Sequence, residues 1–293
     1  MHTAAIVLAI AAAVLIGLGL ILAQIGLRGI TPIAAAAISV PTSMLLFALA
    51  TLLALALGRY PVDAQSWQAL PIFAAIGLLY PATVTLLNFE SSRRIGSVIT
   101  GTLGNFTPVV AVALAVLVLD EPLRWAHLIG LAVIVAGVMV LTTPRGGGPA
   151  HWRSWALLLP LAGAAIRGIV QPGVKFGLEI WSNPLAAALV GYVVSSVLVF
   201  SVVRMRTGRF MPDAPRRSRL WFVAVGLVNG AALLLMYAAL AGGPVALVAP
   251  LLATYPLTTL AWGALILGRP DAGARLLLGI VTTVVGVVLL VMA

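Results

Sequence analysis

The feature that most constrains this chain is a series of apolar runs, each long enough to cross a lipid bilayer as a helix. Such a crossing takes about 20 predominantly apolar residues. Only 8% of the residues are charged and 62% are hydrophobic, whereas a soluble domain carries about 25% charged residues. The sequence therefore predicts an all-α integral membrane protein, and the runs predict ten transmembrane helices.

The runs divide into two sets of five, separated by a segment rich in Arg, Gly and Pro. The first five predicted spans cover residues 3–26, 32–57, 69–89, 95–119 and 125–141. The second five cover residues 154–178, 184–203, 220–240, 244–267 and 274–292. This division predicts a first five-helix repeat at 1–143, a linker at 144–153 and a second five-helix repeat at 154–293.

An internal repeat connects the two sets. Residues 104–141 pass from one apolar stretch through a short charged turn into another, and residues 253–290 repeat that order. Prolines and glycines stay in step between the two copies: Pro108 with Pro256, Pro122 with Pro270, Gly130 with Gly279, and Gly137 with Gly286. Such matching indicates a tandem duplication. Because each repeat has an odd number of spans, we expect two inverted repeats, an arrangement typical of secondary transporters.

The residue content argues against several other classes of protein. The absence of Cys excludes disulfides, thiol catalysis and iron–sulfur centres. The three His residues lie near span ends or in loops, and no hydrolase, metalloprotease or phosphate-loop motif is present. We therefore expect no enzyme activity, no metal and no cofactor. The net charge of +10 comes from basic residues in short loops, which set membrane orientation rather than bind nucleic acid.

The repeat resembles the drug/metabolite transporter superfamily, and within it the ten-helix EamA branch. The resemblance is carried by Pro108, Glu121, Gly130 and Gly137 in the first repeat, and by Pro256, Gly279 and Gly286 in the second. Arg269 departs from the pattern, because the family usually keeps an acidic residue there. The resemblance implies an exporter or exchanger of small metabolites, amino acids and aromatic amino acids first among them. We expect a monomer in the inner (plasma) membrane that contacts lipid and a small-molecule substrate.

Arg167 is the leading candidate for a substrate-binding residue. It lies about halfway along the sixth predicted span, where a lipid-facing charge would cost on the order of several kcal/mol. Its guanidinium has paired donors that fit a carboxylate. The alternative is that Arg167 bonds backbone carbonyls or water and only braces its helix.

Two further groups of polar residues are candidates for the wall of a cavity. Tyr255, Thr258 and Trp262 share one face of the ninth span. Tyr80, with Thr83 after it, lies near the middle of the third span, and the repeat aligns Tyr80 with Asn229 in the eighth. The alternative for both groups is that they only join helices through hydrogen bonds. If that alternative holds throughout, the protein is a scaffold or passive pore, or less plausibly an intramembrane enzyme.

Prolines within the spans predict helix breaks. Proline has no N–H to donate, and its ring clashes with the carbonyl four residues earlier. We expect paired breaks at Pro108 and Pro256 on the cavity wall and a further break at Pro172, and we place Asn105 beside the first as a weaker substrate contact. The acidic residues all fall at span ends or in loops, so we expect solvated charges with local partners, for example Glu121 with Arg124.

The distribution of basic residues predicts the orientation of the chain. The face that carries the N-terminus has three basic residues, Arg59, Arg124 and Lys175. The opposite face has many more: Arg28, Arg93, Arg94, Arg145, Arg153, Arg204, Arg206, Arg209, Arg216, Arg217, Arg219, Arg269 and Arg275. The positive-inside rule then places both termini outside the cytoplasm, whereas the family resemblance implies that both lie inside.

Overall fold

A computed structural model describes residues 2–27, 30–60, 66–85, 87, 90–91, 103–122, 124–142, 155–209, 212–268 and 274–292. Within these ranges the chain is helical and contains no β-strand. The predicted linker at 144–153 lies outside the described residues, as do the ends of several predicted spans.

The described residues form the following helices, which we number in chain order. They are α1 (Thr3–Gly26), α2 (Pro32–Ala56), α3 (Ser66–Leu78), α4 (Thr107–Leu119), α5 (Trp125–Thr142), α6 (Leu158–Ile180), α7 (Pro184–Thr207), α8 (Arg216–Gly242), α9 (Val245–Leu252), α10 (Tyr255–Leu267) and α11 (Ala274–Val291). A π-helical segment, Leu79–Thr83, follows α3, and a 3₁₀ turn, Trp155–Leu157, precedes α6.

Within the described part of the chain, six helical segments are long and apolar enough to cross a membrane: Thr3–Gly26, Pro32–Ala56, Trp155–Ile180, Pro184–Thr207, Arg216–Gly242 and Val245–Leu267. Shorter apolar helices cover Thr107–Leu119, Trp125–Val140 and Leu277–Val291. The prediction of an all-helical, multi-pass membrane protein is thus confirmed. The count of ten spans stays a prediction.

Corresponding helices of the two repeats start in the same way. Pro32 opens α2 and Pro184 opens α7, where proline is favoured because its fixed φ suits a helix and its missing N–H is not needed. The residue before each proline caps the helix through its side chain. Thr31 Oγ1 accepts from Ala34 N at 3.3 Å, and Asn183 Oδ1 accepts from the N–H of Ala186 at 3.0 Å.

Helix pairing follows the repeat. In the sequence alignment, α1 to α3 correspond to α6 to α8, α4 corresponds to α10, and α5 corresponds to α11. The pair α1–α8 has its counterpart in α6–α3, the pair α2–α8 in α7–α3, and the pair α1–α10 in α6–α4. Two further pairs, α2–α7 and α5–α11, join a helix to its own counterpart. The two halves therefore pack around a pseudo-two-fold axis.

Individual hydrogen bonds obey the same symmetry. Ser43 Oγ of α2 donates to the carbonyl of Gly226 in α8 at 2.7 Å. Ser195 Oγ of α7, the counterpart of Ser43, donates to the carbonyl of Gly77 in α3, the counterpart of Gly226. Both serine side chains are buried. These bonds fix each pair of helices at the same relative height in the two halves.

The contact between α5 and α11 shows the relative direction of the repeats. Gly130 of α5 lies against Leu290 of α11, and Gly137 of α5 lies against Thr283 of α11. From the first contact to the second, the position moves about two turns forward along α5 and about two turns back along α11. Neither glycine has room for a Cβ, so the backbones approach closely. The two corresponding helices are antiparallel, and this direction supports the inverted arrangement of the repeats.

The predicted interruptions at Pro108 and Pro256 are present. Asn105 and Phe106 form a turn before α4, and at the equivalent place Ala253 and Thr254 separate α9 from α10. Each proline occupies the first turn of the helix that follows its interruption. Because its ring excludes a helical carbonyl four residues earlier, the preceding helical segment ends there. Whether these interruptions act as hinges stays a prediction.

The predicted break at Pro172 is wrong. Helix α6 runs without interruption from Leu158 to Ile180, with Pro172 buried inside it. A proline removes one helical hydrogen bond, and a helix that is packed on both sides of the proline can retain its direction despite that loss.

Candidate functional site

A cavity of about 320 Å³ lies between the two halves of the molecule. Both repeats contribute to its wall. The first repeat contributes α1, α2, the Leu79–Thr83 segment and the start of α4, and the second contributes α6 to α9 and the start of α10. Its polar lining consists of Ser39, Ser43, Tyr80, Thr85, Asn105, Thr107, Arg167, Gln171, Tyr192, Asn229 and Tyr255. A polar cavity at a repeat interface is the usual location of the binding site in secondary transporters.

Five of the eight predicted substrate-binding residues line this cavity, and three do not. The five are Tyr80, Asn105, Arg167, Asn229 and Tyr255, and Pro108 lines the cavity with them. Thr83, Thr258 and Trp262 are absent from the lining, as are Pro172 and Pro256. The five lining residues converge on one cavity, which is the geometric condition for a shared binding site. That they bind a substrate stays a prediction.

Thr258 and Trp262 instead attach α10 to α1. Thr258 Oγ1 donates to the carbonyl of Ala13 at 2.8 Å, and Trp262 Nε1 donates to the carbonyl of Val14 at 3.1 Å. Gly17 allows this approach, because a side chain there would collide with Thr258 and Thr259. The prediction that both residues face the cavity is therefore wrong. Their helical face contacts a neighbouring helix instead.

The backbone conformation places Tyr80 at the cavity, whereas the hydroxyl of Thr83 forms a hydrogen bond near its own segment. Tyr80 has extended dihedral angles (φ −143°, ψ 137°) inside the π-helical segment. The proline that follows it disfavours a helical conformation at position 80. Thr83 Oγ1 donates to the carbonyl of Leu78 at 2.7 Å, within the same irregular segment.

Arg167 reaches from α6 to the interrupted helix of the first repeat. Its Nε donates to Thr107 Oγ1 at 3.2 Å, and that hydroxyl donates to the carbonyl of Gly104 at 2.8 Å. The guanidinium lies beside Gly104, where the absence of a side chain leaves room for it. Among the described residues Arg167 makes no other hydrogen bond and no ion pair. The N–H groups of its two terminal nitrogens are therefore available to donate hydrogen bonds to an anion.

The charge of the cavity is positive. Arg167 is its one ionisable cation among the described lining residues, and no carboxylate occurs in that lining. A partly buried guanidinium without an ion-pair partner in the described part of the chain favours a ligand with a negative group. The described residues also contain no cluster of three or more His, Asp or Glu that could hold a metal ion.

Sequence reasoning did not single out Gln171 or Tyr192. Gln171 lies one helical turn after Arg167, lines the cavity and has only 7% of its surface exposed. Tyr192 is buried on α7, where its ring packs edge-on against Phe47 with centroids 5.1 Å apart. The signal for Gln171 was its spacing of four residues from Arg167, which places both side chains on one helical face.

Glu121 has a role that differs from the predicted one. It is 9% exposed, and its Oε1 and Oε2 accept hydrogen bonds from the N–H groups of Val245 at 2.7 Å and Ala246 at 2.9 Å. These N–H groups belong to the first turn of α9, where a carboxylate stabilises the positive end of the helix dipole. The prediction of a solvated end charge at Glu121 is wrong, because the residue caps a helix of the other repeat.

The geometry defines a class of protein, a multi-pass helical membrane protein with a polar cavity between two related halves. The sequence model of the EamA-like transporter family matches residues 3–143 and again residues 154–292. The chain therefore belongs to the EamA-like transporter family of the drug/metabolite transporter superfamily, with one copy of the family unit in each half. The family consists of membrane transporters of small solutes.

A solved structure described only as "Crystal structure of protein" has the same fold. It aligns with a TM-score of 0.82 over 100% of this chain and 98% of that chain, at 18% sequence identity. At this identity the likeness concerns the fold alone. No curated protein matches the chain.

Proposed function

We propose that the protein is a secondary transporter that exports or exchanges amino acids, aromatic ones included, across the inner (plasma) membrane. The single observation that carries this proposal is the Arg167 guanidinium, which has no ion-pair partner among the described residues and lies in a polar cavity between the two halves. The proposal includes ten spans arranged as two inverted five-helix repeats, a monomeric state and the absence of enzyme activity.

The choice of an anionic or zwitterionic metabolite follows from the charge of the wall. A carboxylate can accept two parallel N–H bonds from a guanidinium, and such bonds are about twice as strong as neutral ones. An organic cation would meet a positive charge with no described carboxylate in the lining to offset it. Substrates with a free carboxylate therefore fit the cavity better than amines or sugars without charge.

The choice of aromatic side chains follows from the rest of the wall. Tyr80, Tyr192 and Tyr255 bring three phenol rings to a cavity that also has apolar members such as Leu233 and Met236. Aromatic rings favour offset or edge-on contact with other rings. A volume of about 320 Å³ lies at the lower end of the range for small-molecule sites and suits a ligand the size of an amino acid.

The mechanism that we propose is alternating access. The cavity lies beside an interrupted helix in each repeat, before α4 in one and between α9 and α10 in the other. Discontinuous helices beside the site are common in transporters, where one bundle rocks against the other. A scaffold or a passive pore would need no saturable site at this position, and an enzyme would need reactive groups beside the guanidinium.

The test is counterflow in proteoliposomes loaded with a panel of amino acids, with and without a pH gradient. We expect exchange that is saturable and accelerated by substrate on the opposite side, a behaviour that a pore does not show. Arg167→Gln should reduce it about tenfold or more, because a charge-assisted hydrogen bond is lost. Arg206→Gln, the same change at an exposed residue at the end of α7, is the matched control. Equal rates for both variants and the unmodified protein would overturn the role of Arg167.

A further inference from the structure

Gln171 is a buried polar side chain whose carbonyl oxygen has no partner. It is 7% exposed, it lines the cavity, and Oε1 makes no hydrogen bond within the described part of the chain. Nearly all buried polar atoms in folded proteins are hydrogen-bonded, so an exception at a cavity wall points to a group that arrives from outside. This observation is independent of the charge of Arg167.

The two side chains are placed to hold one small ligand together. Arg167 and Gln171 are four residues apart on α6, so their side chains are neighbours on one face, about 6 Å apart along the axis. Thr107 holds the guanidinium from the far side through Nε. A ligand between them would meet N–H donors at Arg167. Rotation of the terminal amide of Gln171 turns Oε1, which is buried in this structure, towards the ligand as an acceptor.

The complementary ligand carries a carboxylate and an N–H donor on neighbouring atoms. The carboxylate satisfies the guanidinium. The donor has to bind a neutral acceptor, because no carboxylate is present in the described lining. The amide oxygen of Gln171 is an acceptor with free capacity.

We propose that Gln171 is the specificity-determining residue for the α-amino group of the substrate, with Oε1 accepting a hydrogen bond from the ammonium while Arg167 binds the carboxylate. The proposal rests on the proposed function. It deepens that function by assigning recognition to the free amine and the free carboxylate of an α-amino acid. A carboxylic acid without the amine binds at Arg167 alone, and an amine without the carboxylate does not bind.

The experiment compares three matched probes, which are phenylalanine, 3-phenylpropionate and phenethylamine. Their binding is measured by displacement of radiolabelled phenylalanine from purified protein. For the unmodified protein we expect phenylalanine to bind at least about tenfold more tightly than 3-phenylpropionate, the effect of one hydrogen bond from a charged donor. Gln171→Met removes the acceptor at similar length and should bring phenylalanine to the affinity of 3-phenylpropionate, which itself should not weaken. Arg167→Gln should weaken both and leave their ratio in place.

Stability gives a second readout that does not depend on transport. Because Oε1 is already without a partner, Gln171→Met should keep or raise the Tm of the ligand-free protein, as expected where a residue serves function at the expense of stability. Asn105→Leu, at another buried polar residue of the wall, is the contrast, because Asn105 does have an interaction partner. A Gln171→Met protein with a strongly lowered Tm would overturn the assignment of a free acceptor.

The outcomes separate this inference from the function on which it rests. If Gln171→Met weakens phenylalanine and 3-phenylpropionate equally, Gln171 does not read the amine, and the transporter proposal stands. If phenylalanine and 3-phenylpropionate bind the unmodified protein equally, the same conclusion follows. If no amino acid of the panel binds the unmodified protein, the amino-acid proposal fails and the inference fails with it.

Discussion

At the scale of single residues, Thr107 fixes the position of Arg167 at the cavity. Its hydroxyl accepts from Arg167 Nε and donates to the carbonyl of Gly104, so it links the second repeat to the interrupted helix of the first. A long, flexible arginine side chain loses about 2 kcal/mol of rotamer entropy when it is fixed. The bond to Thr107 fixes it before substrate arrives, which reduces that loss on binding.

Replacement of Thr107 tests this arrangement. Thr107→Val keeps the shape and removes both hydrogen bonds, so we expect phenylalanine to bind roughly three- to tenfold more weakly, because the guanidinium then has to be ordered on binding. Thr107→Ser keeps the hydroxyl and should stay within about twofold of the unmodified protein. The measurement is displacement of radiolabelled phenylalanine. Equal affinities for the valine and serine variants would show that the bond does not position the guanidinium.

Sequence reasoning succeeds at this scale where a polar residue is rare and isolated. Arg167 and Tyr80 could be found because a charge or a hydroxyl at mid-depth of a span needs a partner. Trp262 could not be placed, because the helical face of a residue is evident from spacing but the neighbour that covers this face is not. Thr258 was misplaced for the same reason: the carbonyl of Ala13 that it bonds belongs to a helix about 245 residues earlier.

At the scale of helices, the cap on α9 joins the two repeats at one end of the molecule. Glu121 extends from the end of α4 and binds the first turn of α9. Lys175 of α6 donates to the carbonyl of Gly243, just before that turn, at 3.2 Å. The start of α9 is therefore held by two oppositely charged side chains from two different helices.

Removal of the cap should destabilise the protein. Glu121→Ala leaves two buried N–H groups without acceptors, so we expect a loss of about 1–3 kcal/mol in the free energy of unfolding and a lower Tm in detergent. Glu179→Ala is the control, because that side chain is 52% exposed and its ion pair with Lys175, at 3.9 Å, contributes little stability. A Tm for Glu121→Ala that matches the control would contradict the role of the cap.

The helix interruptions could be predicted, and the cap could not. A proline lacks the N–H of a helical residue and crowds the carbonyl four residues earlier, so Pro108 and Pro256 carry a local signal for an interruption. Pro172 has the same local chemistry without a break, which shows that packing decides the outcome. Glu121 stands in a charged turn beside Arg124 in the sequence, and only the fold brings it to α9, more than 120 residues away.

At the scale of the whole molecule, the positive charge is concentrated at one end. Six arginines, all exposed, surround the connection between α7 and α8: Arg204, Arg206, Arg209, Arg216, Arg217 and Arg219. Cytoplasmic loops carry the excess of Lys and Arg in membrane proteins. From this end, α7 and α8 both extend towards the face of the molecule that carries the N-terminus.

The charge distribution predicts that both termini lie outside the cytoplasm. A pair of reporters fused after Ala293 tests this, one active only in the cytoplasm and one active only outside it. We expect activity from the second reporter, because basic residues in short loops resist translocation. Activity from the cytoplasmic reporter alone would contradict the prediction and agree with the orientation implied by the family resemblance. Arg206→Glu and Arg217→Glu together should shift the ratio of the two signals if the charges determine orientation.

The duplication could be recognised from sequence because glycines at helix contacts tolerate no side chain. Gly137 and Gly286 keep their spacing in both repeats, since each lies against the backbone of the partner helix. The prediction of five spans per repeat implies that α5 and α11 are antiparallel, and the contacts between them agree with that direction. The shape of the cavity does not follow in this way, because equivalent positions of the two repeats carry different side chains, as at Tyr80 and Asn229.

The pairing of α1 with α8 and α10 bears on how the chain is made. Helix α1 ends at Gly26 and α8 begins only at Arg216. At about 5–20 residues per second of synthesis, α1 resides in the bilayer for roughly 10–40 s before that partner has been translated. Helix α1 is stable in lipid without a partner because its backbone is internally hydrogen-bonded and its polar side chains, Thr3 and Gln24, lie at its two ends. The donors that fasten it, Thr258 and Trp262, arrive with α10. Helix α1 is thus made before α8 and α10 but acquires these hydrogen bonds only when α10 follows.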